Sequence, residues 1–237
     1  MAAMLSRLTR SGVLRADRDF SHDVFRVQSV ETTGTAEDVA CLIDPFCYVS
    51  YDSALRLHGL RGGPPGSLHL STPEAAQWRL RRAEQLQPLT ADNDDPTPSY
   101  PRIYFHDKLR RRSLILHTTA ADTQISKIHE VRTSTIGATF ADTLAEPRLC
   151  GGMAKVLGIW RRHARDHVSE IVAALDRSAT KIVKVRAGYI FTERLGVETP
   201  EISAWRALAQ RGGSRRLDPE RPYAPIYSER WMLSLNV

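Results

Sequence analysis

Cysteine is scarce in this sequence, and its arrangement excludes the usual cysteine-based sites. The 237 residues include only Cys41, Cys47 and Cys150, which leave an odd count and form no C-x-x-C pair. A disulfide framework uses cysteines in pairs, and a zinc ribbon uses paired C-x-x-C motifs. We therefore expect neither, and the composition fits a protein of a reducing compartment.

Long apolar runs are missing as well. No stretch approaches the ~18 to 20 uncharged apolar residues that span a bilayer, and the first ten residues carry two arginines without leading into the apolar region of a secretion signal. With 42% hydrophobic and 25% charged residues, the chain is still apolar enough to bury a core of its own. These features predict a cytoplasmic globular protein with no membrane partner.

The common signatures of catalysis and phosphate binding are also absent. Ser50, Ser53 and His58 lie close together, but no G-x-S-x-G elbow surrounds them. The pair Gly151-Gly152 opens a predicted helix without the G-x-x-x-x-G-K-[ST] pattern of a P-loop. Close packing of the helix start and binding of a phosphate both remain open for this pair, with packing favoured. We expect no enzyme activity and no cofactor.

Two groups of residues have only part of a metal-binding pattern. His163 and His167 are four residues apart on a predicted helix, a spacing that lets two imidazoles share a metal, but no third ligand is evident. Asp92, Asp94 and Asp95 resemble half of a calcium loop that lacks its glycine and closing glutamate. We interpret the histidines as part of a solvated basic face and the aspartates as a solvated loop, and we expect no metal.

Positive charge is unevenly distributed along the chain. The net charge is +6, and residues 148–186, with nine basic and three acidic residues, carry all of this excess. A predicted helix over 151–165 places Lys155, Arg162 and Arg165 in a stripe. Such a stripe is either a phosphate-binding surface or an ordinary solubilising face, and the sequence favours neither interpretation.

The order of patterns predicts an α+β (mixed α/β) fold in two parts. A short helix within residues 4–14 that ends at Gly12, followed by a hairpin around Ser21-His22-Asp23, is typical of the closing half of a winged helix, so residues 1–30 are assigned to a partial winged helix. Residues 31–237 are predicted to form a mixed α/β domain with a helical C-terminal region. The predicted helices begin at the Thr35 capping box, at Ser50 and at Thr72-Pro73, the last of them ending at Pro88, and then cover 139–145, 151–165, 167–176, 179–194 and 201–210. The predicted strands cover 67–71, 102–106, 113–118, 125–131 and 228–235.

Duplex DNA is a candidate partner on the strength of the basic residues. If the N-terminal helix enters a major groove, Arg7 and Arg10 on the helix and Arg18 in the wing would contact phosphates and base edges. The basic helix would add phosphate contacts that do not depend on sequence. Its candidate residues are Lys155, Arg161, Arg162 and Arg165.

Four segments, taken together and in their order, resemble the AbiEi family of antitoxins and autoregulators of type IV toxin–antitoxin systems. They are YVSYDSALRLHGL at 48–60, TFADTLAEPRLCGG at 139–152, RAGYIFTERLG at 186–196 and LDPERPYAPIYSERWMLSLN at 217–236. The Ser-Ala-Leu-x-x-His-Gly-Leu helix and the Cys-Gly-Gly helix start are the most telling of these elements.

The resemblance implies a cytoplasmic bacterial protein that binds operator repeats through an N-terminal winged helix and neutralises a cognate nucleotidyltransferase toxin through its C-terminal domain. It implies neither a catalytic triad nor a cofactor. The chain departs from the family in offering one helix and a wing in place of a whole winged helix, so operator binding is the activity that this departure affects. The alternatives are a stand-alone DNA-binding transcriptional regulator without antitoxin activity and an enzyme that acts on nucleotides.

Overall fold

A computed structural model describes residues 2–20, 24–28, 34–90, 101–104, 107–119, 123–209 and 215–237. The fold is mixed α/β, which confirms the predicted class. The α-helices are α1 (Ala2–Arg10), α2 (Ala36–Ile43), α3 (Tyr51–Leu57), α4 (Ala75–Thr90), α5 (Ile136–Ala145), α6 (Met153–His163), α7 (Val168–Ser178), α8 (Lys181–Tyr189) and α9 (Pro200–Ala204). Short 3₁₀ turns cover Pro147–Cys150, Ala164–His167 and Trp205–Leu208, and a π-helical turn covers Ile190–Arg194.

The strands are short and pair in both directions. They are β1 (Leu14–Ala16), β2 (Phe25–Val27), β3 (Tyr48–Val49), β4 (Leu68–Pro73), β5 (Lys108–Leu109), β6 (Arg112–Thr119), β7 (Ile125–Ile128), β8 (Val131–Ser134), β9 (Tyr227–Ser228) and β10 (Leu233–Ser234). Strand β6 runs parallel to β4 and antiparallel to β5, whereas β3 runs parallel to β8. No helix among the described residues has the length and apolar character that a membrane crossing requires.

The chain divides into two compact units that interleave along the sequence. The first unit contains Met1–Tyr48, Gly66–Thr119 and His129–Val131, and the second contains Val49–Pro65, Ala120–Ile128 and Arg132–Val237. The predicted boundary after residue 30 lies outside the described residues. Helix α1 and the β1–β2 hairpin belong to the first unit together with the β4–β6 pair.

The predicted helix and hairpin at the N-terminus are both present. Helix α1 ends at Arg10, and Gly12 follows it with a left-handed φ of +74°. Strands β1 and β2 pair antiparallel, with Leu14 opposite Val27. The hairpin tip at residues 21–23 lies outside the described residues.

A buried carboxylate connects this hairpin to the rest of the first unit. Asp17 accepts hydrogen bonds from Arg26 Nε at 2.6 Å and from Arg110 Nη2 at 2.7 Å, and Arg110 also pairs with Asp19. Burial alone would raise the pKa of Asp17, but the hydrogen bonds from Arg110 and Arg26 outweigh it and hold the pKa well below its usual range. Because Arg110 lies on the turn between β5 and β6, this cluster fixes the hairpin against a distant part of the chain.

The capping signals of the sequence are partly confirmed. Thr35 and Asp38 form the predicted capping box of α2. The predicted start of α4 at Pro73 is wrong, because the pairing of β4 with β6 extends to Pro73, opposite Thr119, and the helix begins at Ala75. The predicted stop at Pro88 is also wrong, since α4 continues to Thr90 and accommodates a proline that cannot donate a backbone hydrogen bond.

Two predicted strands need correction. Residues 101–104 are not a strand, because Ile103 N–H donates to the buried Asp44 side chain at 3.1 Å rather than to a neighbouring strand, and residues 105–106 lie outside the described residues. The predicted strand over 125–131 is two strands, β7 and β8, separated by a turn in which His129 adopts a φ of +53°.

The C-terminal run forms less strand than its alternation predicts. Strand β10 pairs antiparallel with β9, and its Ser234 also forms a parallel bridge with Arg216, while Met232, with a φ of +48°, bends the backbone just before β10. Trp231 and Leu233 are fully buried, as the alternation of the sequence predicts.

Two buried indoles organise the core of the second unit. Trp160 on α6 donates to Thr143 Oγ1 at 2.9 Å and meets the rings of Phe140 and Phe191 edge-on. Trp231 donates to Thr192 Oγ1 at 2.9 Å. Each indole N–H is therefore paired inside an apolar core, which offsets the cost of burying it.

Helices α5 and α7 approach each other closely at Gly137. A Cβ at this position would lie 2.1 Å from the carbonyl oxygen of Glu170, which belongs to the backbone and cannot move aside cheaply. We expect Gly137→Ala to lower the free energy of unfolding by about 1–3 kcal/mol or more. Urea unfolding followed by tryptophan fluorescence measures this change.

Gly158→Ala is the matched control for Gly137→Ala. The nearest atom to a Cβ at Gly158 is Arg162 Nη1 at 3.4 Å, so alanine fits there and gains helix propensity, worth up to about 1 kcal/mol. An unchanged urea midpoint for Gly137→Ala would contradict the close approach of the two helices.

Asp17→Asn is expected to loosen the β1–β2 hairpin at neutral pH. The substitution removes the charge that accepts side-chain hydrogen bonds from Arg26 and Arg110, and we expect it to lower the free energy of opening the hairpin by about 1–3 kcal/mol. The measurement is hydrogen exchange of the β1 and β2 amides, with the exposed Arg18→Gln as the control.

The effect of Asp17→Asn has a defined pH dependence. Because the folded pKa of Asp17 is depressed, its stabilisation is present above the unfolded pKa and is lost as the pH falls through the folded pKa. The difference between Asp17→Asn and wild type should therefore shrink below about pH 4. A difference that stays constant down to pH 2 would argue against the charged network.

Candidate functional site

Two consecutive glycines with left-handed φ set the start of α6. Gly151 and Gly152 have φ of +89° and +90° and follow the 3₁₀ turn at Pro147–Cys150. A Cβ at Gly151 would lie 2.9 Å from Lys155 Cδ and 3.1 Å from Arg61 Nη1. Two cationic side chains thus pack against Gly151, whereas a Cβ at Gly152 would meet no atom within 4 Å.

A network of charged side chains connects α3 to this turn. Asp52 pairs with Arg56, whose Nε lies 3.0 Å from Oδ2, and with Arg61. Arg61 Nη1 also lies 3.4 Å from the Cys150 carbonyl oxygen. The position of α6 is thus set from outside the helix by residues that precede it by about ninety positions.

Helix α6 has three distinct faces. Met153, Val156, Ile159 and Trp160 form its buried face. At 100° per residue, the exposed Lys155 and Arg162 lie together on one flank. The exposed Arg161 lies about 100° away from Arg162, on a different flank. The predicted basic set on this helix is therefore divided between two flanks.

The flank of α6 that carries Arg161 borders a groove, here called the α6 groove. The groove has a volume of about 400 Å³ and is lined by Ala154, Leu157, Gly158, Arg161, Ile190, Arg194, Leu195 and Val237. The six apolar lining residues are here called the floor of the groove. The other two, Arg161 and Arg194, are exposed. All of these residues belong to the second unit.

Arg165, the fourth residue of the predicted basic set, has a structural contact. It lies in the 3₁₀ turn after α6, and its Nη2 donates to the Leu195 carbonyl oxygen. Its guanidinium thereby holds the loop that forms one wall of the α6 groove. Arg165 is exposed, so this contact does not remove it from the surface.

The N-terminal candidates are exposed and lie in the first unit. Arg7 and Arg10 are on α1, where Arg10 Nη2 lies 3.5 Å from Ser6 Oγ, and Arg18 follows β1. The structure therefore places the two predicted sets of cations in different units.

The predicted histidine pair does not have helical i, i+4 geometry. His163 ends α6, and His167 lies at the end of the 3₁₀ turn, with its Nδ1 3.5 Å from Glu170 Oε1 and its ring against Phe140. Among the described residues, no group of three or more His, Cys, Asp or Glu side chains is placed to hold a metal ion. Asp92, Asp94 and Asp95 lie outside the described residues.

The side chains considered as nucleophiles are built into the packing of α3. Ser50 and Ser53 are buried, and His58 Nε2 donates to the Ser134 carbonyl oxygen at 2.8 Å. Burial lowers the pKa of His58, which favours its neutral form. This imidazole therefore joins the end of α3 to the end of β8.

A buried thiol, Cys150, and a half-buried carboxyl, Asp142, lie near each other beside the glycine turn. Burial, with a further contribution from the nearby Asp142 carboxylate, raises the pKa of the Cys150 thiol well above its usual range. Burial raises the pKa of Asp142 to about 7. The thiol thus stays protonated at neutral pH and is a poor nucleophile.

The sequence analysis did not identify Arg194 as a site residue. It lies 33 positions after Arg161 and reaches the groove because a π-helical turn follows α8. No spacing rule predicts such a turn. The segment that contains Arg194, RAGYIFTERLG, is however one of those that carry the family resemblance.

Comparison with known proteins finds a similar fold. No protein-family model matches the chain, and no curated protein sequence matches it. Among solved structures, the chain is similar to the crystal structure of the RV2827C protein from Mycobacterium tuberculosis, with a TM-score of 0.53 and 13% sequence identity. The match covers 98% of this chain and 78% of that one. At this identity the similarity extends to the fold alone.

The raised pKa of Asp142 predicts how the stability of the protein depends on pH. Its folded pKa of about 7 lies above the unfolded value near 3.9, so the folded state holds the proton more tightly. Its contribution to stability is then greatest at low pH and declines as the pH rises towards 7. Asp142→Asn removes this dependence, and we expect the variant to gain at least about 1 kcal/mol over wild type between pH 5 and pH 8.

Urea unfolding at the two pH values tests this, with the exposed Asp166→Asn as the matched control. Wild type and Asp142→Asn curves that move in parallel with pH would contradict a desolvated Asp142.

Proposed function

We propose that this protein is an AbiEi-like antitoxin that acts in the cytoplasm and neutralises a cognate nucleotidyltransferase toxin, with repression of its own operon as a second activity. The observation that carries the proposal is that residues of all four family-like segments pack into one buried core of the second unit. Segments that are far apart in the sequence resemble the family and also share one core.

The first two segments meet in the apolar core. Leu55 and Leu60 of segment 48–60 belong to the same buried cluster as Phe140, Leu144 and Cys150 of segment 139–152. Residues of the segments that resemble the family are therefore also buried core residues.

The third segment is hydrogen-bonded and packed to the second and the fourth. Arg186 Nη1 donates to the Leu144 carbonyl oxygen at 2.7 Å. A Cβ at Gly188 would lie 2.1 Å from the Trp231 indole, so the fourth segment rests directly on a glycine of the third. Such mutual packing supports the interpretation of the four segments as one inherited scaffold rather than as separate chance matches.

A stand-alone DNA-binding regulator is the second candidate function. The observation that favours it is the exposure of Lys155 and Arg162, seven residues apart on one flank of α6, and of Arg7, Arg10 and Arg18 in the first unit. Exposed cations with this spacing suit contacts to phosphates. This candidate requires DNA binding alone, whereas the leading proposal requires neutralisation of a toxin.

Growth rescue tests the antitoxin proposal. The open reading frame next to the gene is expressed from an inducible promoter, with or without this protein supplied from an unrelated promoter that it cannot repress. We expect the protein to restore growth, because neutralisation acts beyond transcription. Failure to relieve the toxicity of a demonstrably toxic neighbour, with soluble protein present, would refute antitoxin activity.

DNA binding is tested by its salt dependence. Substitution of Lys155 and Arg162 by Gln is expected to weaken binding equally for all duplex sequences and to reduce the slope of log K against log [salt] by about 2, since each phosphate contact contributes about 0.9. Changes at Arg7 and Arg10 are expected to relax sequence preference as well.

Arg177→Gln, on the exposed side of α7, is the control for loss of a single positive charge in this binding assay. A salt slope near zero for the wild-type protein would rule out phosphate contacts as the basis of binding. Sequence preference that survives the loss of Arg7 and Arg10 would refute their predicted role.

A further inference from the structure

The α6 groove combines an apolar floor with cationic side chains on its lining. Leu157 and Gly158 are only partly buried, whereas the apolar residues on the opposite face of α6 are in the core. A volume of about 400 Å³ is within the range of sites that bind ligands or side chains. The floor therefore leaves apolar surface open that a partner could cover.

The two charged side chains on the groove lining, Arg161 and Arg194, have the same sign. Arg161 and Arg194 are exposed and, within the part of the chain that the structure describes, form no ion pair. The neighbouring acidic residue Glu193 accepts a hydrogen bond from Ser228 Oγ at 2.6 Å, so its carboxylate is engaged within the protein. The groove thus offers two guanidinium groups to a carboxylate from outside.

We infer that the α6 groove binds an acidic amphipathic segment of a partner protein, with apolar side chains against the part-exposed Leu157 and carboxylates paired with Arg161 and Arg194. This combination of apolar floor and cationic lining complements a segment in which Leu or Ile alternates with Glu or Asp at helical spacing. The inference goes beyond the proposed function, because such a docking site would serve an antitoxin and a transcriptional regulator alike.

The apolar floor favours a peptide over a nucleic acid. A phosphate backbone is matched by cations on a solvated surface and gains nothing from an apolar cavity beneath them. The flank of α6 that carries Lys155 and Arg162 has exposed cations that do not line the groove, and it is the better candidate for DNA. The two flanks of one helix would then bind two different classes of partner.

Gly158 gives a way to block the groove without disturbing the fold. A side chain at this position meets only the end of Arg162, and the helical backbone accepts it. Gly158→Met is therefore expected to fill part of the groove while leaving the thermal midpoint unchanged or raised. Arg161→Glu with Arg194→Glu reverses the charge and leaves the floor intact.

The test selects ligands from a phage-displayed library of 16-residue peptides on the purified full chain, with counter-selection on the Gly158→Met variant. We expect the selected peptides to share an acidic amphipathic pattern. A synthetic peptide of that pattern should bind wild type, and either groove variant should weaken it by roughly tenfold or more. Arg177→Glu, outside the groove, should leave its affinity unchanged.

Several outcomes would overturn the inference. These are a selection with no enrichment, selected peptides without acidic residues, and binding that is insensitive to Gly158→Met. Weakened binding of a duplex DNA probe by Arg161→Glu with Arg194→Glu, with peptide binding unaffected, would assign the groove to nucleic acid instead. Since the peptide assay uses no toxin, its result is independent of the growth-rescue experiment, and either can fail while the other succeeds.

Discussion

The second unit depends on a guanidinium group buried inside it. Arg186 is 6% exposed, and it donates from Nη1 to the Leu144 carbonyl oxygen and from Nε to the Arg216 carbonyl oxygen. Burial lowers its pKa to about 10, so the group remains charged at neutral pH. Taking a charge out of water costs several kcal/mol, and these hydrogen bonds offset part of that cost. In return, one side chain satisfies carbonyl groups from two segments that the chain separates by more than seventy residues.

The sequence predicts the local features of this architecture well. The Thr35–Asp38 capping box and the glycine stop after α1 depend on residues within four positions of each other, and both are present. The alternation that buries Trp231 and Leu233 is also local. Pairing with a distant strand can override such local signals. Pro73 was predicted to start a helix, but it pairs with Thr119 of β6 and therefore belongs to strand β4.

The candidate site was predictable only in part, for the same reason. The cationic character of α6 is legible from its sequence, and Lys155 and Arg162 lie on one flank as their spacing requires. The α6 groove, however, needs Arg194 and Ile190 from a π-helical turn and Val237 from the C-terminal segment. The attachment of the hairpin through Asp17 and Arg110 likewise joins residues 93 positions apart, and a pattern within a window of fifteen residues contains no information about such a contact.

The interleaving of the two units has a consequence for synthesis on the ribosome. The first unit lacks its Arg110 anchor and strand β6 until about residue 119 has emerged, and the second unit lacks the indole that covers Gly188 until Trp231 has emerged. At roughly 5–20 residues per second, the second event follows the first by roughly 6 to 22 s. The apolar residues of α3 are translated early. During that interval, part of the core against which they pack has not yet been translated. The second unit therefore completes its core only after Trp231 has emerged, and until then the nascent chain exposes apolar residues that the folded protein buries.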